Sequence, residues 1–160
     1  MCAVKSSSSV LVLMKNIWKS CVKSKVSFFA WETSWGKVLT FNQVKKRGQV
    51  LANRCYFCQA EKKSIDHLLL HYGKIRALWE MFFTLFGVSW VFLSSVKETL
   101  LGWNGFFMGK RHKIVWKAGP LCIFWTIWKT RNRISFEDEV LSSQRLKTSF
   151  LNFDRRLNCL

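Results

Sequence analysis

Acidic side chains are scarce. Nine Asp and Glu face 26 Lys and Arg across 160 residues, a formal net charge of +17. A two-metal nuclease needs several carboxylates converging on its ions. Three of the nine are adjacent at 137–139 and cannot all point into one site. No Gly-rich phosphate cradle and no Gly-x-Ser-x-Gly elbow is present. No apolar run approaches the ~18 residues that span a bilayer, since the longest, Leu121 to Trp128, ends in Lys129. Val10 to Met14 is too short for the apolar region of a secretory signal. Six cysteines without a regular framework fit a reducing compartment. The expectation is an intracellular protein, in nucleus or cytoplasm, neither secreted nor membrane-bound. Internal repeats are absent, and a short serine run is the only low-complexity tract.

What is present is an apolar and aromatic chain, 49% and 16% respectively, enough for a core. Residues 1–54 carry ten basic side chains against Glu32, and residues 111–160 carry ten against four acids. Excess charge of this sign attracts polyanions, nucleic acid first and an anionic membrane surface second. A basic composition inherited from a larger parent, binding nothing, is the plain alternative.

The chain centres on Cys55-Tyr-Phe-Cys58 followed by His67-Leu-Leu-Leu-His71, with eight residues between the pairs. Histidines at i and i+4 share a helix face, and two thiolates with two imidazoles make a tetrahedral zinc set. The gap is shorter than the ~12–15 residues of common fingers. The alternatives are ordinary thiols with surface histidines, or a redox pair, the latter without a βαβ setting. Four ligands would close the site and make it structural. Three would leave a position for water, with Asp66 the only nearby base, a residue whose place at a helix start suits a dipole partner better.

Periodicity predicts a mainly α-helical fold. Met1 to Ser9 reads as a frayed terminus and Val10 to Lys19 as a short helix. Lys25 to Lys37 places Phe28, Trp31 and Trp35 on one face, read as core, with Gly36 as its stop. Thr40 and Gly48 bracket a helix over 41–47 whose Lys45, Lys46 and Arg47 suit its C-terminal dipole or a phosphate. Ser64 caps a long central helix with Ile65, Leu68, Tyr72, Ile75, Trp79, Phe82 and Phe86 as its stripe, interrupted by Gly73. Ser94 or Ser95 starts a helix to Leu101. Pro120 breaks or begins a helix within the apolar run 115–136. Lys129, Arg131 and Arg133 follow Trp125 and Trp128, a grouping that suits single-stranded nucleic acid or a buried Trp face with a solvated basic end. Ser142 or Ser143 caps a last helix docked by Leu146, Phe150 and Phe153.

At Ile17-Trp18, Lys25-Val-Ser-Phe-Phe-Ala-Trp31, Leu39-Thr40, Lys46-Arg-Gly48, Cys55-x2-Cys58, His67-Leu-Leu-Leu and Leu78-Trp79 the chain resembles a known family. It is the zinc-binding domain after the reverse transcriptase in plant LINE-type (non-LTR) retrotransposon polyproteins. Trp125-x2-Trp128-x2-Arg131-Asn132 with Phe136 resembles the segment leading towards a ribonuclease H domain there. The match to the zinc-binding domain runs over roughly residues 15–80, and the expected division is a flexible 1–14, a zinc-binding 15–86 and a helical extension over 87–160 leading towards a ribonuclease H domain. The resemblance implies a zinc-binding, non-catalytic module with Cys55, Cys58 and His67 as ligands. Its expected partners are RNA or DNA and the reverse transcriptase and ribonuclease H domains of a parent polyprotein. The alternative is an interaction module that docks on those polymerase and nuclease domains. The family's fourth ligand, a cysteine, falls where this chain has Tyr72, one residue after His71. The family's proline before Lys25 is also missing.

Overall fold

The structure is a computed structural model and describes residues 3–38, 64–91, 93–103, 109–137 and 143–158. The mainly α expectation holds, and no strand occurs among the described residues. In chain order the helices are α1 (Ala3–Trp18), α2 (Ser24–Ser34), a π-helical turn (His67–His71), α3 (Gly73–Phe86), α4 (Val96–Gly102), α5 (Lys110–Glu137) and α6 (Ser143–Asn158). The long α5 is the spine, packing against α2, α3 and α6, while α1 lies on α2 and α4. Helix α1 begins at Ala3, ahead of the expected Val10, so the serine run lies inside it. The helix expected at 41–47 lies outside the described residues.

Helix ends follow local chemistry. Ser95 Oγ accepts the Glu98 N–H at 3.2 Å, and the Ser94 hydroxyl donates to the Glu98 carboxylate, a cap of Ser-x-x-Glu type. Gly36, at φ 63°, and Gly87, at φ 61°, take the left-handed conformation that ends α2 and α3.

Two expectations are corrected. The first concerns α2. Its buried face is Val26, Phe29, Ala30 and Thr33; of the three expected core residues only Trp31 packs against the core. Phe28 is 54% and Trp35 38% exposed, and Trp31 is only half-buried. That face mixes Val26 and Phe29 with the small residues Ser27, Ala30, Thr33 and Ser34. The hydroxyls there are satisfied by backbone carbonyls, Ser27 by Ile17 and Thr33 by Phe29, so burying them carries little desolvation penalty.

The second concerns Pro120, which lies inside α5 without ending it. Proline has no N–H, so the carbonyl four residues earlier, Trp116, loses its helical donor. The Trp103 indole N–H replaces it, donating to the Trp116 carbonyl at 2.9 Å. Gly119 relieves the crowding that proline imposes on the preceding Cβ. It also admits Phe82, because a Cβ at 119 would lie 2.5 Å from Phe82 Cε2 and closer still to Cζ. Around this point α5 is buried on every side, from Ala118 to Phe124. The Trp103 and Trp116 rings stack at 4.6 Å and 14°. Trp79, Phe82 and Phe83 of α3 pack around them.

Candidate metal centre and basic surfaces

The expected long central helix is two pieces. Ser64 does cap the first, its Oγ accepting the His67 N–H at 3.1 Å. Over His67–His71 the backbone widens into a π turn, closed by the Tyr72 N–H on the His67 carbonyl at 2.9 Å. Tyr72 is then extended, and its carbonyl accepts the N–H groups of Ile75 and Arg76 as α3 begins. The break comes at Tyr72–Gly73, where glycine weakens helix continuation. Single-turn π insertions are often found at functional sites.

This turn is firmly held. Leu68, Leu69 and Leu70 are all buried. Buried Trp79 reaches back from α3, and its indole N–H donates to the Leu69 carbonyl at 2.9 Å. Asp66 Oδ1 accepts the Val96 N–H at 2.8 Å, fastening the turn to the start of α4. That carboxylate is thus occupied as a cap for α4. Its placement supports the structural reading of Asp66 and gives no support to a general base. His67 is half-buried and His71 exposed. The Tyr72 ring lies 6.5 Å from the His67 ring. The i+5 closure therefore brings position 72 beside position 67, which suits a ligand pair five residues apart in a way that an unbroken α-helix does not.

Cys55 and Cys58 lie outside the described residues, as do Lys45, Lys46 and Arg47. Among the described residues no group of three or more His, Cys, Asp or Glu is poised for a metal. On the described side the donor chemistry fits zinc through His67, with His71 one turn on. Tyr72 offers a phenol, a poor zinc donor in its protonated form.

The basic end of α5 has the half-buried Trp face and solvated cations of the plain sequence reading. Trp125 and Trp128 are half-buried against Phe29, with centroids at 5.5 and 5.4 Å. The Arg131 guanidinium lies 4.8 Å over the Trp128 ring, and Lys25 Nζ lies 5.7 Å from the Trp125 centroid. Lys129 and Arg133 are exposed. Sequence reasoning missed the contribution of Lys25 from α2, which only the pairing of α2 with α5 brings to this place. It also missed the role of Asp66 towards α4, for which the only signal was the Ser95-x-x-Glu98 cap announcing a helix start that needed a partner.

Residues 3–79 match the family described as zinc-binding in reverse transcriptase. No curated protein and no solved structure matches the chain. The matched stretch runs from the first residue of α1 into α3 and contains all four candidate ligands. It supports a reverse transcriptase zinc-binding domain of retrotransposon-polyprotein type in this part of the chain. A domain of this kind is accessory to the catalytic one. Among the described residues no helix is long and apolar enough to cross a membrane.

Proposed function

We propose that the chain is a non-catalytic, zinc-stabilised module that associates with RNA or DNA. We place its origin in a plant LINE-type retrotransposon polyprotein. The observation that carries this reading is the family match over a stretch whose histidine turn is fixed by Ser64, Asp66 and Trp79. A preformed ligand turn is what a structural metal requires on one side. Cys55 and Cys58 would supply the thiolates and His67 an imidazole, with His71 the candidate for the fourth place. Bound there, zinc would contribute folding energy by tying the cysteine loop to the turn.

Charge would supply the association. Lys129 and Arg133 are exposed near Arg131, and Lys45, Lys46 and Arg47 precede the cysteine pair in the sequence. Such contacts give affinity that falls linearly in log–log form with salt and reads little sequence. The test is zinc content per purified chain for wild type, His71→Ala and Tyr72→Cys, combined with a salt titration of oligonucleotide binding. One zinc in wild type and a steep salt slope support the reading. No zinc in wild type but one in Tyr72→Cys shows a decayed site.

A second reading, a protein-interaction module docked on polymerase and nuclease neighbours, is favoured by α1. Leu11, Met14 and Trp18, at i, i+3 and i+7, are all exposed on it. Salt-insensitive or absent oligonucleotide binding would favour this reading.

A further inference from the structure

Helix α2 is apolar on two faces; the fold buries one, and of the other only half-buried Trp31 packs against the core. Val26, Phe29, Ala30 and Thr33 face the core. On the other side Phe28, Trp31 and Trp35 form a stripe at i, i+3 and i+7, with Phe28 54% and Trp35 38% exposed. Trp31 and Trp35 meet edge to face at 5.6 Å. Large aromatics this open on one helix face mark an interaction surface.

Cations surround the stripe. Lys97 of α4 puts Nζ 4.2 Å over the Trp35 ring. Exposed Lys23 and Lys25 stand before Phe28, and exposed Lys37 follows Trp35. Half-buried Glu32 is the one acid within α2. An aromatic row bordered by lysines is complementary to a ligand with flat apolar faces and a negative backbone. A second copy of this chain would bring the same +17 charge to the patch and be repelled.

We propose that the outer face of α2 is a stacking platform for single-stranded nucleic acid. Bases would lie on Phe28 and on the Trp35 ring away from Lys97, which covers one of its faces, and phosphates would meet Lys25, Lys37 and Lys97. Spacing favours the single strand. With a helical rise of about 1.5 Å per residue, Phe28 and Trp35 are about 10.5 Å apart along the axis. In a duplex the base faces are covered by their neighbours in the stack, so only an unstacked strand can lay bases on both rings. Base–aromatic stacking tolerates any sequence and adds to the electrostatic attraction. The proposal rests on the nucleic-acid reading above and gives it a place on α2, joined through Lys25 to the basic end of α5.

The test is fluorescence anisotropy of labelled oligouridylate, oligothymidylate and a duplex of equal length, binding the full chain. The proteins are wild type, Phe28→Ala, Trp35→Ala, Phe28→Tyr and the Lys25→Gln/Lys37→Gln pair. Far-UV circular dichroism checks that each variant folds. The expected result is a single-strand preference in wild type and a loss of about 5- to 100-fold in each alanine variant. Phe28→Tyr, which keeps the ring, stays near wild type, and the lysine pair shows a shallower salt slope. RNA and DNA are separated by the first two oligonucleotides. Salt-dependent binding that both alanine variants retain overturns the platform while leaving charge-driven association standing. Absence of binding at low salt overturns both. Self-association of wild type that Phe28→Ala abolishes, with oligonucleotide affinity unchanged, assigns the face to a second copy and also overturns the platform.

Discussion

Replacing Trp103 by phenylalanine removes one N–H from the centre of the core and should destabilise the chain well beyond the lost ring volume. The Trp116 carbonyl lacks its i+4 helical donor, because residue 120 is proline, and the Trp103 indole donates to it at 2.9 Å. A buried carbonyl deprived of its donor costs about 1–3 kcal/mol. Loss of packing against Trp116, Trp79 and Phe83 adds to this. The two contributions separate in a double-mutant cycle with Pro120→Ala, since alanine restores the backbone N–H that the Trp116 carbonyl lacks. The packing loss is common to both backgrounds and cancels. In the Pro120→Ala background Trp103→Phe should therefore be cheaper by about 1–2 kcal/mol. Urea unfolding followed by far-UV circular dichroism reads the cycle, with m-values checked for constancy. Costs that add to within about 0.5 kcal/mol would refute the argument that the indole compensates for the proline.

Three further outcomes follow from the same contacts. Gly119→Ala gains helix propensity yet should destabilise by about 1–3 kcal/mol through overpacking on the Phe82 ring, and Phe82→Leu should recover part of that loss in urea unfolding. Asp66→Ala should cost about 0.5–2 kcal/mol by uncapping α4 and should lower amide-exchange protection over 96–102. Asp66→Asn, which keeps an acceptor for the Val96 N–H, should cost less. Trp79→Phe leaves the Leu69 carbonyl without its indole donor and should cost at least about 1–3 kcal/mol, with loosening of the His67–His71 turn visible in amide exchange.

Much of the architecture is written in local chemistry. The Ser64 and Ser95 caps, the stop at Gly36, and the docking of Leu146 all stand where capping and periodicity place them. Three features escape a local reading because their causes are remote. Pro120 reads as a breaker until Trp103, distant in sequence, supplies the missing donor. The face of α2 is misread because large aromatics outweigh Ala30 and Thr33 in any hydrophobic count, whereas hydroxyls satisfied by backbone carbonyls can be buried at little cost. The π turn is hidden because stripe counting assumes one helical period throughout, and here the stripe bridges two segments broken at Tyr72. The candidate site was legible as a ligand pattern, and its histidine half now has a backbone geometry. What the ligand pattern did not reveal is how the turn is fixed, since Asp66 and Trp79 do so through backbone groups that no side-chain motif records.

The central claim is that zinc is held jointly by the cysteine pair and the turn beginning at His67. X-ray absorption at the zinc K edge of the purified chain tests it most directly. The account predicts two sulfur neighbours near ~2.3 Å with nitrogen at about 2.0–2.1 Å, one nitrogen disappearing in His67→Ala. Zinc with no sulfur neighbours, or a spectrum unchanged by His67→Ala, would contradict it.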